Sequence, residues 1–143
     1  MASKIYPLGI DKILSSALSL EAEAEGNGMY AVLVKGTYTF STAHDFYDDV
    51  EAAIVADETP KILANPEVTT STAVVKFDAD DTGLTWTSVN DAADVGGAVV
   101  YYNTGTAGTS PLIAFLDATD LTTNGSDVTL TFNASGIFTL NLA

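Results

Sequence analysis

Gly97-Ala98-Val99-Val100-Tyr101-Tyr102 and Leu112-Ile113-Ala114-Phe115-Leu116 are two continuous apolar runs, divided by a threonine-, glycine- and serine-rich segment from Asn103 to Pro111. Runs of β-branched and aromatic residues between such turn-forming clusters read as strands. The same grammar recurs outward from this pair. Ala73, Val75 and Phe77 alternate, Leu84 and Trp86 alternate, and Val128, Leu130 and Phe132 share one face of a strand. Asn133-Ala134-Ser135-Gly136 then turns the chain into Ile137 to Leu142, with Phe138, Leu140 and Leu142 facing in. About seven to nine short strands at this spacing predict a mainly β fold, a β-sandwich or jelly-roll-like barrel. Its single core is expected to hold Val32, Val34, Val75, Trp86, Val100, Ile113, Leu130, Phe132 and Leu140, which share the inward phase of their strands.

Upstream the period changes. Ile10, Ile13, Leu14, Ala17 and Leu18 line one face of a helix of about two to three turns, with Pro7 and Gly9 marking its start. So short a helix is marginal alone and must dock on the core or on a partner. Residues 1–18 are therefore read as an N-terminal arm and helix of a single domain spanning 1–143, and Ile5, Tyr6, Ile10, Ile13 and Leu14 as partner-binding. Leu20, Ala22 and Ala24 alternate with Glu21, Glu23 and Glu25 up to Gly26-Asn27-Gly28, where Asn-Gly signals a hairpin turn. The return strand is expected from Met29 to Phe40, with Val32, Val34, Tyr38 and Phe40 on one face and Lys35 toward the glutamate row. Ser41-Thr42-Ala43-His44-Asp45, a hydroxyl followed three residues later by an acid, signals a second, short acidic helix carrying Phe46, Tyr47 and Val50.

The chain has 143 residues, 47% of them hydrophobic and 17% charged, enough apolar content for a folded core. Its lack of cysteine excludes disulfide scaffolds, thiolate metal sites, thiol nucleophiles and haem attachment through Cys-x-x-Cys-His. Five scattered lysines against 19 acids give a net charge of -14, which argues against nucleic acid and anionic lipid as partners. Asp11, Lys12, Ser15 and Ser16 break the apolar stretch that a signal peptide would need, and no run is long enough to span a bilayer.

Chemistry-bearing motifs are weak. The lone histidine, His44, has Asp45, Asp48 and Asp49 nearby but no companion nucleophile or metal cluster, and reads as a polar residue of a helix's first turn. Asp78, Asp80 and Asp81, with Gly83, match the opening of a calcium loop, yet its last position holds Val89 where a bidentate Glu belongs. These three aspartates are weak metal candidates in what reads as a turn. Gly96-Gly97 and the stretch Thr104 to Thr109 lack the lysine of a phosphate loop and read as loops between strands. Trp86, Tyr101 and Tyr102 could stack on a sugar, although such rings more often fill cores. No catalytic residue and no cofactor are expected.

Several stretches come in a familiar order: Phe77 to Val89 with Asp78-Ala79-Asp80-Asp81-Thr82-Gly83-Leu84-Thr85-Trp86 inside it, Gly97 to Gly105, Ser110 to Asp117, and Gly136-Ile137-Phe138-Thr139-Leu140. In the first half Val32-Leu33-Val34, Thr37-Tyr38-Thr39-Phe40 and His44-Asp45-Phe46 join them. The chain resembles a family of small structural proteins encoded among the virion genes of tailed bacteriophages, although Ala52 to Thr72 lacks the glycine-rich turn of that pattern. The resemblance implies a capsid decoration, or cement, protein that binds the major capsid protein, self-associates as a homotrimer on a shell symmetry axis, and waits in the host cytoplasm before assembly on the virion. Acidic faces such as Glu21, Glu23 and Glu25, or the Asp78 to Asp81 turn, would meet basic capsid loops. A neck, tail or fibre-base component and a small carbohydrate-binding β domain are the competing expectations.

Overall fold

A computed structural model describes residues 2–24, 26–56, 58–80, 82–132 and 134–141, all but 2, 3, 23, 24 and 119 with their side chains. In chain order the elements are β1 (Ala2–Ile5), α1 (Pro7–Leu14), β2 (Glu23–Ala24), β3 (Asn27–Lys35), β4 (Lys61–Ile62), β5 (Glu67–Ser71) and β6 (Val74–Asp78). There follow β7 (Leu84–Val89), β8 (Val95–Asn103), β9 (Leu112–Leu121), β10 (Ser126–Leu130) and β11 (Phe138–Asn141). The fold is mainly β and sandwich-like, as the strand spacing predicts.

The two continuous apolar runs, 97–102 and 112–116, become β8 and β9, the middle of an antiparallel sheet ordered β1-β9-β8-β3-β2, with β4 also paired to β3. Their continuity has a physical reason: both faces of this sheet are covered. On one face Ala31, Leu33, Ala98, Val100, Ala114 and Leu116 pack with Phe77, Trp86, Val128, Leu130 and Phe138 of the smaller sheets β7-β10 and β5-β6-β11, and with Phe132 just after β10. On the other, Val32, Val34, Val99, Tyr101 and Phe115 pack with Tyr6 and with Tyr38, Phe40, Tyr47, Val50 and Ile54 from the long connection after β3. Two cores thus replace the single one expected, and Val32 and Val34 lie across the sheet from Trp86 and Leu130. Of the other expected core positions, Val75 is half-buried and Leu140 is 39% exposed.

Local readings shift for identifiable reasons. β3 stops at Lys35, where the register with β8 slips and a turn (Tyr38 N–H to Lys35 O, 2.9 Å) folds the chain back. Tyr38 and Phe40 still reach the face predicted for them, as rings 5.1 and 6.4 Å from Phe115 rather than as strand residues. Lys35 pairs with Val95 and lies by Asp91, away from the glutamates. The hairpin reverses between Ala24 and Asn27, with Gly26 at φ +80°, so Asn27 and Gly28 belong to the strand. Gly96 and Gly97 are likewise strand residues of β8 and not a loop. A Cβ on Gly97 would come within 2.2 Å of Leu116 O, so only glycine lets β9 lie this close at the bulge.

The short acidic helix expected after Ser41 takes the form of two 3-10 turns, Tyr47–Asp49 and Glu51–Ala53, and begins later than Ser41. The Ser41 hydroxyl accepts the Ala43 N–H at 3.2 Å in a local turn, so it does not start a helix. The stop comes from Asp49, whose carboxylate accepts the N–H groups of Phe46 (3.1 Å) and Asp45 (2.8 Å). Those two bonds, Phe46 first, hold the Asp49 carboxyl below its ordinary range. Asp49→Ala is expected to cost about 1 kcal/mol, the usual worth of a capping side chain. Because the folded pKa is depressed, that contribution is present above about pH 4 and disappears as pH falls through the folded value. Urea titrations of both proteins at pH 7 and near pH 2.5 check it: the gap between them narrows in acid.

Candidate functional site

Pro7 occupies the first turn of α1, where its missing N–H costs nothing, and the helix ends at Leu14 rather than at Leu18. Ser15 closes it, its N–H bonded to Asp11 O, and Ser16 takes a left-handed φ of +57°. From there the chain doubles back so that Leu18 and Leu20 pack on the first core. Across from the helix lies the inner face of β5-β6-β11. Its register puts Val68, Phe77 and Phe138 in one row and Val75 opposite Leu140 in the next.

Helix and sheet do not close on one another. Between them runs an apolar groove of about 370 Å³, walled by Ile10, Ile13 and Leu14 and floored by Val75, Phe77 and Leu140. Leu20, Val68 and Phe138 complete its apolar lining, and Ser19 and Glu21 are its polar residues among those described. Leu14 is 73% exposed, the most open position of the apolar wall. Exposed apolar side chains gathered into a concave patch mark an interaction site more strongly than the same residues scattered.

Four of the residues read as partner-binding, Ile10, Ile13, Leu14 and Glu21, come together at this groove. The others do not. Ile5 packs against the first core, and Tyr6 is fully buried in the second, its hydroxyl 2.7 Å from Tyr38 Oη. Burial first, and then the Tyr38 bond, push the Tyr6 hydroxyl far above its ordinary value. The Glu23 side chain and Glu25 lie outside the described residues. The far half of the groove was hidden in the sequence. Val75 and Leu140 do have the inward phase assigned to them, but nothing in the alternation tells that the layer is open at that end.

The motif residues fall elsewhere. His44 Nδ1 lies 2.9 Å from Tyr38 Oη, so the imidazole ends a chain of side-chain hydrogen bonds reaching Tyr6, in place of opening a helix. Asp78 is bound to Lys76 at 2.7 Å, and Asp80 accepts the Thr82 N–H at 3.0 Å, the main reason its carboxyl sits below the ordinary range. Asp81 lies outside the described residues. Among the described residues no cluster of three or more His, Asp or Glu is placed to hold a metal ion. Trp86 and Tyr101 are 1% and 3% exposed, so neither offers a ring face to a sugar. The described residues include no helix long and apolar enough to cross a membrane.

Comparison with protein-family models, with curated proteins and with solved structures finds no match to this chain.

Proposed function

We propose that this chain is a binding and structural module of a tailed-phage particle: a capsid decoration protein that seats on the assembled head and clamps adjacent capsid subunits. The observation that carries the reading is the groove, which gathers Ile10, Ile13, Leu14 and Glu21 into one apolar patch on a chain of net charge -14. Two of the stretches that resemble the virion family reach the groove floor, at Phe77 and at Leu140. Charge of one sign keeps the free protein soluble while it accumulates before assembly. The partners are the major capsid protein and, in a homotrimer on a symmetry axis, further copies of this chain.

Such a protein needs no catalytic group. A ligand that binds the mature shell better than the immature one stabilises the former by the difference in binding free energy. Specific retention calls for about 1,000 Å² or more of buried surface per copy, of which the groove supplies an apolar centre. Particles with and without the protein should differ under a heat or chelator challenge, the decorated heads surviving conditions that open the bare ones. Equal survival would refute the reading. A copy number of only about a dozen per virion, against the larger count that repeated shell symmetry demands, would move the protein to the neck or tail.

A further inference from the structure

The groove between α1 and the β5-β6-β11 sheet also carries information on the chemistry of its occupant. Its lining is aliphatic and aromatic except for Ser19 and Glu21, and no lysine lines it. Glu21 is held at the rim: its carboxylate accepts the Val68 N–H at 3.2 Å, and its own N–H donates to Ser19 Oγ at 3.3 Å. A fixed carboxylate therefore stands where the groove opens. Asp11, exposed on α1 one turn before Leu14, adds a second negative charge on the helix that walls the groove.

These features select among occupants. A second copy of this chain would bring its own net charge of -14 against the same carboxylates, and like charges facing across an interface cost several kcal/mol. β5 is the outer strand of its sheet, but Glu21 already satisfies the Val68 N–H, which blunts that edge against strand addition. What the groove offers is an apolar slot with a negative rim. Resting on the reading of the chain as a binding module, we propose that it takes a short segment of a partner protein in which apolar side chains enter the slot and flanking lysine or arginine side chains meet Glu21 and Asp11. The apolar anchors give the affinity and the rim pairs the orientation, since exposed ion pairs contribute little by themselves.

The test uses the purified full chain and three synthetic octapeptides labelled for fluorescence anisotropy: alternating leucine and lysine, alternating leucine and glutamate, and alternating serine and lysine. The leucine–lysine peptide should bind with a Kd on the order of 10 μM at low salt, and the other two at least about tenfold more weakly. Leu14→Asp, at a position too exposed to threaten the fold, should bring the leucine–lysine peptide down to the affinity of the serine–lysine one. Glu21→Gln keeps an acceptor for the Val68 N–H and should weaken binding a few-fold while flattening its salt dependence. Equal binding of the serine–lysine peptide would show charge without a slot, and equal binding of the leucine–glutamate peptide a slot without charge selection; either overturns the proposal. So would an oligomer of the free chain that Leu14→Asp dissociates, because the occupant would then be a second copy. If the peptides fail while decorated particles still resist heat, this inference falls and the decoration reading stands. If the peptides bind but particles gain nothing, the groove's chemistry stands and the phage reading falls.

Discussion

Trp86→Ala is expected to remove about 3–5 kcal/mol of folding stability, the range for truncating a fully buried aromatic side chain. Trp86 is 1% exposed and stands on β7 opposite Val128 of β10, where the small two-stranded sheet meets the large one. Its indole serves two purposes at once. The ring fills the first core, and its Nε1–H donates to Thr59 O at 2.9 Å, tying down the irregular chain before β4. The Lys61 ammonium, 5.8 Å from the ring centroid, adds a weaker cation–π contact from the same stretch. Truncation therefore leaves a cavity and an orphaned carbonyl together. Trp86→Phe separates the two: it keeps most of the apolar volume, loses the donor, and should cost about 1–3 kcal/mol. Domains of this kind are stable by about 5–15 kcal/mol in total, so the alanine variant should lose a large part of its stability, seen as a fall of about 2 M in urea midpoint at a typical slope. A loss below about 1.5 kcal/mol for Trp86→Ala would mean that the core collapses around the gap and that the two sheets are not held apart by this ring.

The same tryptophan marks how much of the molecule its sequence declares. Alternation finds the strands and their inward phase wherever one face meets a core, as at Trp86, Val128, Leu130 and Phe132. It cannot say on which side of a doubly covered sheet a residue lies. Val32 and Val100 are both inward in that sense, yet Val32 packs in the second core and Val100 in the first. The aromatic-rich connection that covers the second face looks like a strand followed by a helix, because Tyr38 and Phe40 keep period two and Ser41 imitates a cap. Its course is set by tertiary contacts: the ring packing on Phe115 and the Asp49 carboxylate on two backbone amides. The site is half legible for a related reason. A helical stripe declares Ile10, Ile13 and Leu14 in contiguous sequence, whereas Leu20, Val68, Val75 and Leu140 reach the groove from four separate places in the chain. Hairpin registers bring them together, and no local pattern encodes that meeting.

Gly9→Ala should destabilise the protein even though it places the best helix former in the middle of a helix. At an open helical position the exchange would gain about 1 kcal/mol. Here Gly9 is buried against β9, and a Cβ would stand 2.2 Å from Leu112 O and 3.0 Å from Ile113 Cα. Both are backbone atoms of a central strand, so the strand cannot yield and the helix must lift. The lift strains two neighbouring ties: the Tyr6 N–H bond to Ile113 O at 3.0 Å, and the Tyr6 ring, which has no exposed surface. Overpacking of this kind costs about 1–3 kcal/mol, which outweighs the propensity gain and should lower the Tm by about 5 °C. Asp11→Ala, on the exposed side of the same helix, is the control and should change stability by less than about 0.5 kcal/mol. The second readout is binding. Ile10, Ile13 and Leu14 form one wall of the groove and move with the helix, so Gly9→Ala should weaken the leucine–lysine peptide by at least about tenfold at temperatures where the variant is still folded. A Gly9→Ala protein as stable as the parent would mean that α1 is not seated on β9, and the groove would lose the wall that defines it.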